Sequence, residues 1–110
     1  ELKGMFDEGD FYIEIQDHNI PEEKYVLPLL KKLAKDINAK LIATNDVHYI
    51  NKSDAEMHDV MLCIQTGSFI DDPNRMKFST EEFYLKSIDR MAMLFKDVPE
   101  ALDNTEEIVT

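Results

Sequence analysis

Phe11-Tyr12-Ile13-Glu14-Ile15-Gln16-Asp17-His18 and Leu41-Ile42-Ala43-Thr44-Asn45-Asp46-Val47-His48 are the two stretches whose reading decides the fold, since each is an apolar run that ends on an acid and a histidine. Both read as β-strands that deliver polar residues to one edge. Asn19-Ile20-Pro21-Glu22-Glu23 between them has the signature of a helix start: proline sits where its missing N–H costs nothing, and two acids face the positive end of the helix dipole. Tyr25, Val26, Leu29, Leu30, Leu33, Ala34 and Ile37 then recur at helical spacing, which predicts one stripe packed on the sheet. Pro28 should kink this helix, and Asn38 is a suitable terminator. Strand, helix, strand joined by a right-handed crossover makes the two strands parallel, with their carboxyl ends on the same side. Chemistry in α/β barrels and open sheets sits at that edge.

Asp46 and His48 are spaced i, i+2. An extended backbone would place them on one face, roughly 6–7 Å apart along the chain. Divalent ions of the zinc or manganese type take imidazole and carboxylate oxygen together, so the pair suits a metal site. The same spacing equally suits a hydrogen-bonded Asp–His pair that only stabilises a strand end. Asn45 and Tyr49 point the other way and read as supporting or packing groups. Asp17 and His18 are adjacent, so only one of them can look into a shared site; His18 either lines it or bonds to nearby backbone. Glu14 points into a barrel interior near the site or into water. His58 reads as a packing residue on a helix, and Met57, Met61, Met91 and Met93 as core filling.

Ser53-Asp54-Ala55-Glu56 has the form of a capping box, predicting a helix with Met57, Val60, Met61 and Ile64 on one face that stops at Gly67. Asp71-Asp72-Pro73-Asn74 marks a turn-rich loop. Further helix starts are predicted at Ser79-Thr80-Glu81-Glu82, at Ser87-Ile88-Asp89-Arg90 and at Asp97-Val98-Pro99-Glu100. The chain thus divides near residue 67 into an α/β half, 1–67, and a half of short helices and loops, 68–110.

Composition narrows the function classes. The net charge of −11, from 23 acids against 12 bases, would repel a phosphate backbone rather than grip it. The single cysteine, Cys63, has no intrachain partner and lies in an apolar helical stretch, so a buried thiol in a cytoplasmic protein is expected. Apolar runs fall short of a membrane span. P-loop glycines and a dinucleotide fingerprint are lacking. Metal-assisted hydrolysis is the catalysis left, and two ligands are too few for it, so others must lie elsewhere. With Glu1 at its start and a helical pattern running at Ile108-Val109, the chain is expected to be a piece of a longer one.

In order, Phe11 to His18, Ala43-Thr44-Asn45-Asp46-Val47-His48-Tyr49, His58-Asp59-Val60-Met61-Leu62-Cys63-Ile64-Gln65-Thr66-Gly67, Asp71-Asp72-Pro73-Asn74-Arg75-Met76-Lys77-Phe78 and Phe83-Tyr84-Leu85-Lys86-Ser87 resemble the late part of a known domain. It is the PHP (polymerase and histidinol phosphatase) domain of bacterial DNA polymerase III alpha subunits. The resemblance implies an α/β fold: a fragment of a PHP-type distorted (β/α)7 barrel, followed by short helices leading toward the polymerase palm. It implies that Asp46 and His48 match the last metal-ligand motif, with the remaining ligands upstream, and it assigns no ligand role to Cys63 or His18. A zinc or manganese cluster belongs to the intact domain; this piece alone should bind metal weakly or not at all. The expected activity is that of a DNA-directed DNA polymerase, a nucleotidyltransferase whose palm acids lie elsewhere, with 3′–5′ exonuclease action by the PHP domain in some members. Implied partners are the other polymerase domains, a proofreading exonuclease subunit and other replisome subunits, with DNA held by the rest of the parent chain. Two alternatives stand beside this: a non-catalytic docking module, and a stand-alone PHP phosphatase.

Overall fold

A computed structural model describes residues Glu1–Thr110. Strand β1 (Tyr12–Ile15) and strand β2 (Lys40–Ala43) form a two-stranded parallel sheet, with Tyr12 opposite Lys40 and Ile15 opposite Ala43. Helix α1 (Pro21–Asp36) makes the crossover. Pro21 occupies its first turn with Glu22 and Glu23, as the dipole favours, and Pro28 lies within the helix. Beyond the helix, Asn38 takes a left-handed φ of 53°, a conformation asparagine tolerates better than most residues.

Which face of α1 packs inward differs from the predicted stripe. Leu27, Leu30 and Ala34 turn to the core, while Tyr25, Val26, Leu29 and Leu33 are exposed. Periodicity located an apolar stripe, but a helix carrying apolar residues around more than half its circumference does not say which part faces the sheet. Helix α2 (Ala55–Thr66) repeats the lesson, because it buries Leu62 and Cys63 and exposes Met57, Val60, Met61 and Ile64. Gly67 closes α2 in the left-handed conformation, with its N–H and that of Ser68 capping the carbonyls of Ile64 and Cys63. The capping box before α2 lies earlier than Ser53: Asn51 and Asp54 cap each other around the short 3-10 turn Lys52–Asp54.

Helix α3 (Ile88–Leu94) begins where Ser87 accepts a bond from the N–H of Arg90, and helix α4 (Glu100–Val109) follows Pro99. The helix predicted from Ser79 does not form. Residues 79–87 are irregular, and Tyr84 bridges in parallel to Tyr49. Aromatic side chains at Phe83 and Tyr84 favour an extended chain, and that preference outweighs the capping-type residues before them.

One core joins both sides of residue 67. Ile15 and Ala43 from the strand ends pack with Phe95, Val98 and Ala101 from the later helices. Phe95 is 2% exposed, and burying a ring of this size stabilises by about 2–3 kcal/mol. α4 lies along β2, where Asn104 Nδ2 donates to the Leu41 carbonyl at 2.8 Å and Glu107 pairs with Lys40. Cys63 is buried. The Cα radius of gyration is 16.7 Å, against roughly 13 Å for a compact domain of this length. The chain therefore spreads around its small core and leaves the outer faces of α1 and α2 in solvent.

Candidate metal centre

Beyond Ala43 the two strand ends diverge into loops, and a later segment holds those loops in place. The N–H of Thr44 still donates to the Ile15 carbonyl at 3.1 Å. Asp46 then adopts φ 53°, a left-handed conformation outside either strand. The N–H groups of His48 and Tyr49 donate to the Phe83 carbonyl at 2.8 and 3.3 Å, and the N–H of Leu85 donates back to Tyr49 and Ile50. These bonds seat residues 47–50 on residues 83–85.

Asp46 and His48 are accordingly not on an extended strand. The turn nevertheless leaves their side chains side by side, with His48 Nδ1 3.8 Å from Asp46 Oδ1 and the two side chains 36% and 47% exposed respectively. The His48 Nδ1–H donates to the Asp46 carbonyl at 2.9 Å, which fixes the tautomer and leaves the lone pair on Nε2. Nε2 has no hydrogen-bond partner in the chain. Around the ring stand Phe78, Phe83 and His58 at centroid distances of 4.9, 5.6 and 5.7 Å, each edge-on. His58 also packs against Tyr49 and Phe78, in keeping with a packing role.

His18 is held very differently. It is 1% exposed, its ring stacks on Phe83 with 4.2 Å between centroids, and both ring nitrogens are engaged. Nδ1 faces the Glu23 carboxylate at 2.8 Å and Nε2 faces the Asn45 carbonyl at 2.6 Å. Glu23 also accepts from the His18 N–H, and the His18 carbonyl accepts from Thr80 Oγ1 at 2.8 Å. Of the two openings for His18, the chain uses backbone and carboxylate bonding; no nitrogen remains for an ion.

Asn45 is consumed similarly. Its Oδ1 accepts from Lys86 Nζ at 2.9 Å and its Nδ2 donates to the Tyr84 carbonyl at 3.1 Å. Glu14 is exposed on the sheet and accepts from Thr44 Oγ1 and from Gln16 Nε2. It lines a shallow cleft of about 230 Å³ shared with Glu23 and Val26 and does not approach Asp46 in any bond. No group of three or more His, Cys, Asp or Glu side chains in the chain is arranged to hold a metal.

A second clamp braces the wall behind His48. Arg75 grips both oxygens of Asp59 on α2 and donates through Nε to the Ile70 carbonyl, folding the turn-rich loop back onto the helix. The guanidinium holds the Asp59 carboxyl below its ordinary range. Sequence reading missed Phe83, Lys86, Thr80 and Arg75 as builders of this region. Only the β-prone Phe83-Tyr84 pair carried a local signal for the segment that grips the loop.

Comparison with known proteins bears on the whole chain. No protein-family model matches it. The DNA polymerase III subunit alpha of Treponema pallidum is 47% identical over 108 residues, covering 98% of this chain and 9% of the relative. That of Campylobacter jejuni is 46% identical over 99 residues, covering 90% of this chain and 8% of the relative. That of Thermus aquaticus is 43% identical over 104 residues, covering 91% and 8%. The chain is homologous to part of the DNA polymerase III alpha subunit. It spans about 9% of the length of these curated relatives. No helix is long and apolar enough to cross a membrane.

A carboxylate and an imidazole lie together, part-exposed, with the carboxylate 3.8 Å from Nδ1, the nitrogen already bonded to the Asp46 carbonyl, and Nε2 turned away from that bond. Two donors supply only part of a coordination shell.

Proposed function

We propose that this chain is part of a bacterial replicative DNA polymerase, where it forms the closing portion of a PHP-type barrel and contributes Asp46 and His48 to a zinc or manganese centre. The observation that carries the metal reading is that the part-exposed Asp46 carboxylate and His48 imidazole lie side by side, with Nε2 left without a partner in the chain by the Nδ1–H bond to the Asp46 carbonyl. A divalent ion, when bound, supplies Lewis-acid polarisation of a phosphoryl oxygen. The chain's own residues orient and shelter. Asp46 offers a carboxylate on a turn fixed from both sides, and His48 offers a nitrogen whose tautomer is set. Phe78 and Phe83 flank the imidazole at centroid distances of 4.9 and 5.6 Å. Ligands from the rest of the parent would complete the shell, and a completed centre would support 3′–5′ hydrolysis of a DNA end in the cytoplasm.

The acidic charge assigns DNA grip to other parts of the parent. A second reading, a non-catalytic docking module, is favoured by the exposed apolar faces of α1 and α2, which suit neighbouring polymerase domains or replisome subunits. Manganese titration of the metal-stripped full-length protein, with a 3′-end-labelled DNA degradation assay, separates the two. Under the metal reading Asp46→Ala weakens manganese binding and abolishes degradation while primer extension persists. Equal manganese binding by both proteins would favour the docking module.

A further inference from the structure

Between α2 and the segment at 77–81 opens a cleft of about 410 Å³ that neither Asp46 nor His48 lines. Pockets of roughly 300–1,000 Å³ are the size that holds small ligands or single side chains. Three rings stand along this one, those of Tyr49, His58 and Phe78. His58 joins the other two: its centroid is 5.2 Å from Tyr49 at an interplanar angle of 47° and 4.8 Å from Phe78 at 67°. Tyrosine and phenylalanine rings carry negative faces that attract an organic cation, and mutually inclined rings are how aromatic cages are built.

Polar groups of the same cleft point to the same kind of ligand. Tyr49 is 8% exposed, and its hydroxyl is buried with no hydrogen-bond partner. Leaving such a group unbonded costs stability, and a donor arriving from outside would satisfy it. Glu56 and Glu81 add two exposed carboxylates, neither of them in an ion pair within the chain. Asp59 also lines the cleft, but Arg75 takes both of its oxygens. Lys77 is the only lysine or arginine of the lining, so the two unpaired carboxylates outnumber it, in a chain whose net charge is −11. With no three acids, histidines or cysteines arranged to hold a metal, the cation that rings and carboxylates together suit is an organic one.

We propose that this cleft binds the guanidinium or alkylammonium group of an arginine or lysine side chain on a basic peptide segment, which lies against the Tyr49 and Phe78 rings, is balanced by Glu56 and Glu81, and donates to the Tyr49 hydroxyl. The inference is independent of the metal reading, since the two sites share no proposed ligand. Tyr49→Phe removes one hydroxyl that has no partner to lose. Glu56→Gln with Glu81→Gln removes the charge at two exposed positions and keeps their shape.

The test titrates N-acetyl-arginine amide into the full-length protein and reads binding by saturation-transfer difference NMR, with N-acetyl-norleucine amide as the uncharged control, spermidine as a free polyamine, and the melting temperature recorded for each variant. Arginine amide is expected to bind and norleucine amide not to. The double glutamine variant should weaken arginine binding about fivefold or more. Tyr49→Phe should weaken it about threefold while its melting temperature holds or rises. Asp46→Ala should leave binding unchanged. Equal affinity in wild type, the double variant and Tyr49→Phe overturns the proposal, and so does norleucine binding as tight as arginine binding. Spermidine binding tighter than arginine amide, and lost in the double variant, overturns the peptide source and makes the cleft a polyamine site.

Discussion

His18 and His48 each follow a parallel strand and come within one loop of each other, yet the chain treats them in opposite ways. His18 is sealed under Phe83 with both ring nitrogens bonded to protein groups; His48 stands part-exposed with one nitrogen bonded and the other without a partner in the chain. Phe83 serves both, stacking flat on the first ring and meeting the second edge-on. Two histidines in matching sequence contexts can thus divide into a buried structural bolt and a part-exposed ring with one unpartnered nitrogen. The difference lies in how many acceptors the fold brings to each ring.

Replacing His18 with alanine should test that division most severely. It strands the Glu23 carboxylate and the Asn45 carbonyl and opens a cavity under Phe83, so chemical denaturation should show a loss of about 3 kcal/mol. A loss below 1 kcal/mol would make His18 no bolt at all. An acid titration probes the wall behind His48 instead. The Asp59 carboxyl is held below its ordinary value of 3.8 by Arg75, so its contribution to stability is complete above that pH. It is lost as pH falls through the lowered value. Asp59→Asn should therefore be less stable than wild type at neutral pH, with the difference closing in strong acid; a constant difference at every pH would mean the ion pair contributes nothing.

Asp46→Gly separates strain from ligation. Glycine adopts φ 53° freely, so this variant should gain about 0.5–1 kcal/mol in thermal or chemical unfolding while losing manganese affinity. A simultaneous gain in both would remove Asp46 from the proposed ligands. The smallest effect is expected from His48→Ala. A part-exposed ring with one bond to its own turn should cost about 0.5 kcal/mol, several-fold less than His18→Ala. Comparable losses for the two histidines would erase the contrast between the corners.

Much of the local architecture was legible in the residues. Pro21 with Glu22 and Glu23 announced α1, Gly67 ended α2, Ser87 opened α3, and the apolar runs before His18 and Asn45 gave two parallel strands. These signals act over one or two turns of chain, and their physics is local. The candidate site was legible only in its residue types. The expectation that Asp46 and His48 share a strand face failed in its mechanism, because β2 ends at Ala43 and a left-handed Asp46 brings the pair together instead. The helical face of α1 was misassigned because leucines surround it, and the helix expected after Ser79 gave way to an extended segment paired with Tyr49.

Sequence by itself determined the strand, helix, strand order, the helix ends and the presence of an acid and an imidazole after the second strand, because dihedral preference, capping and periodicity are properties of neighbouring residues. Tertiary structure alone decided which histidine would be bolted and which left free, and that Lys86 and Phe83 would hold the loop from Asn45 to Tyr49 while Thr80 holds His18. Those outcomes depend on acceptors and rings that arrive from across the chain, some 40 residues from Asn45 and 60 from His18, and no local preference encodes a meeting at that separation.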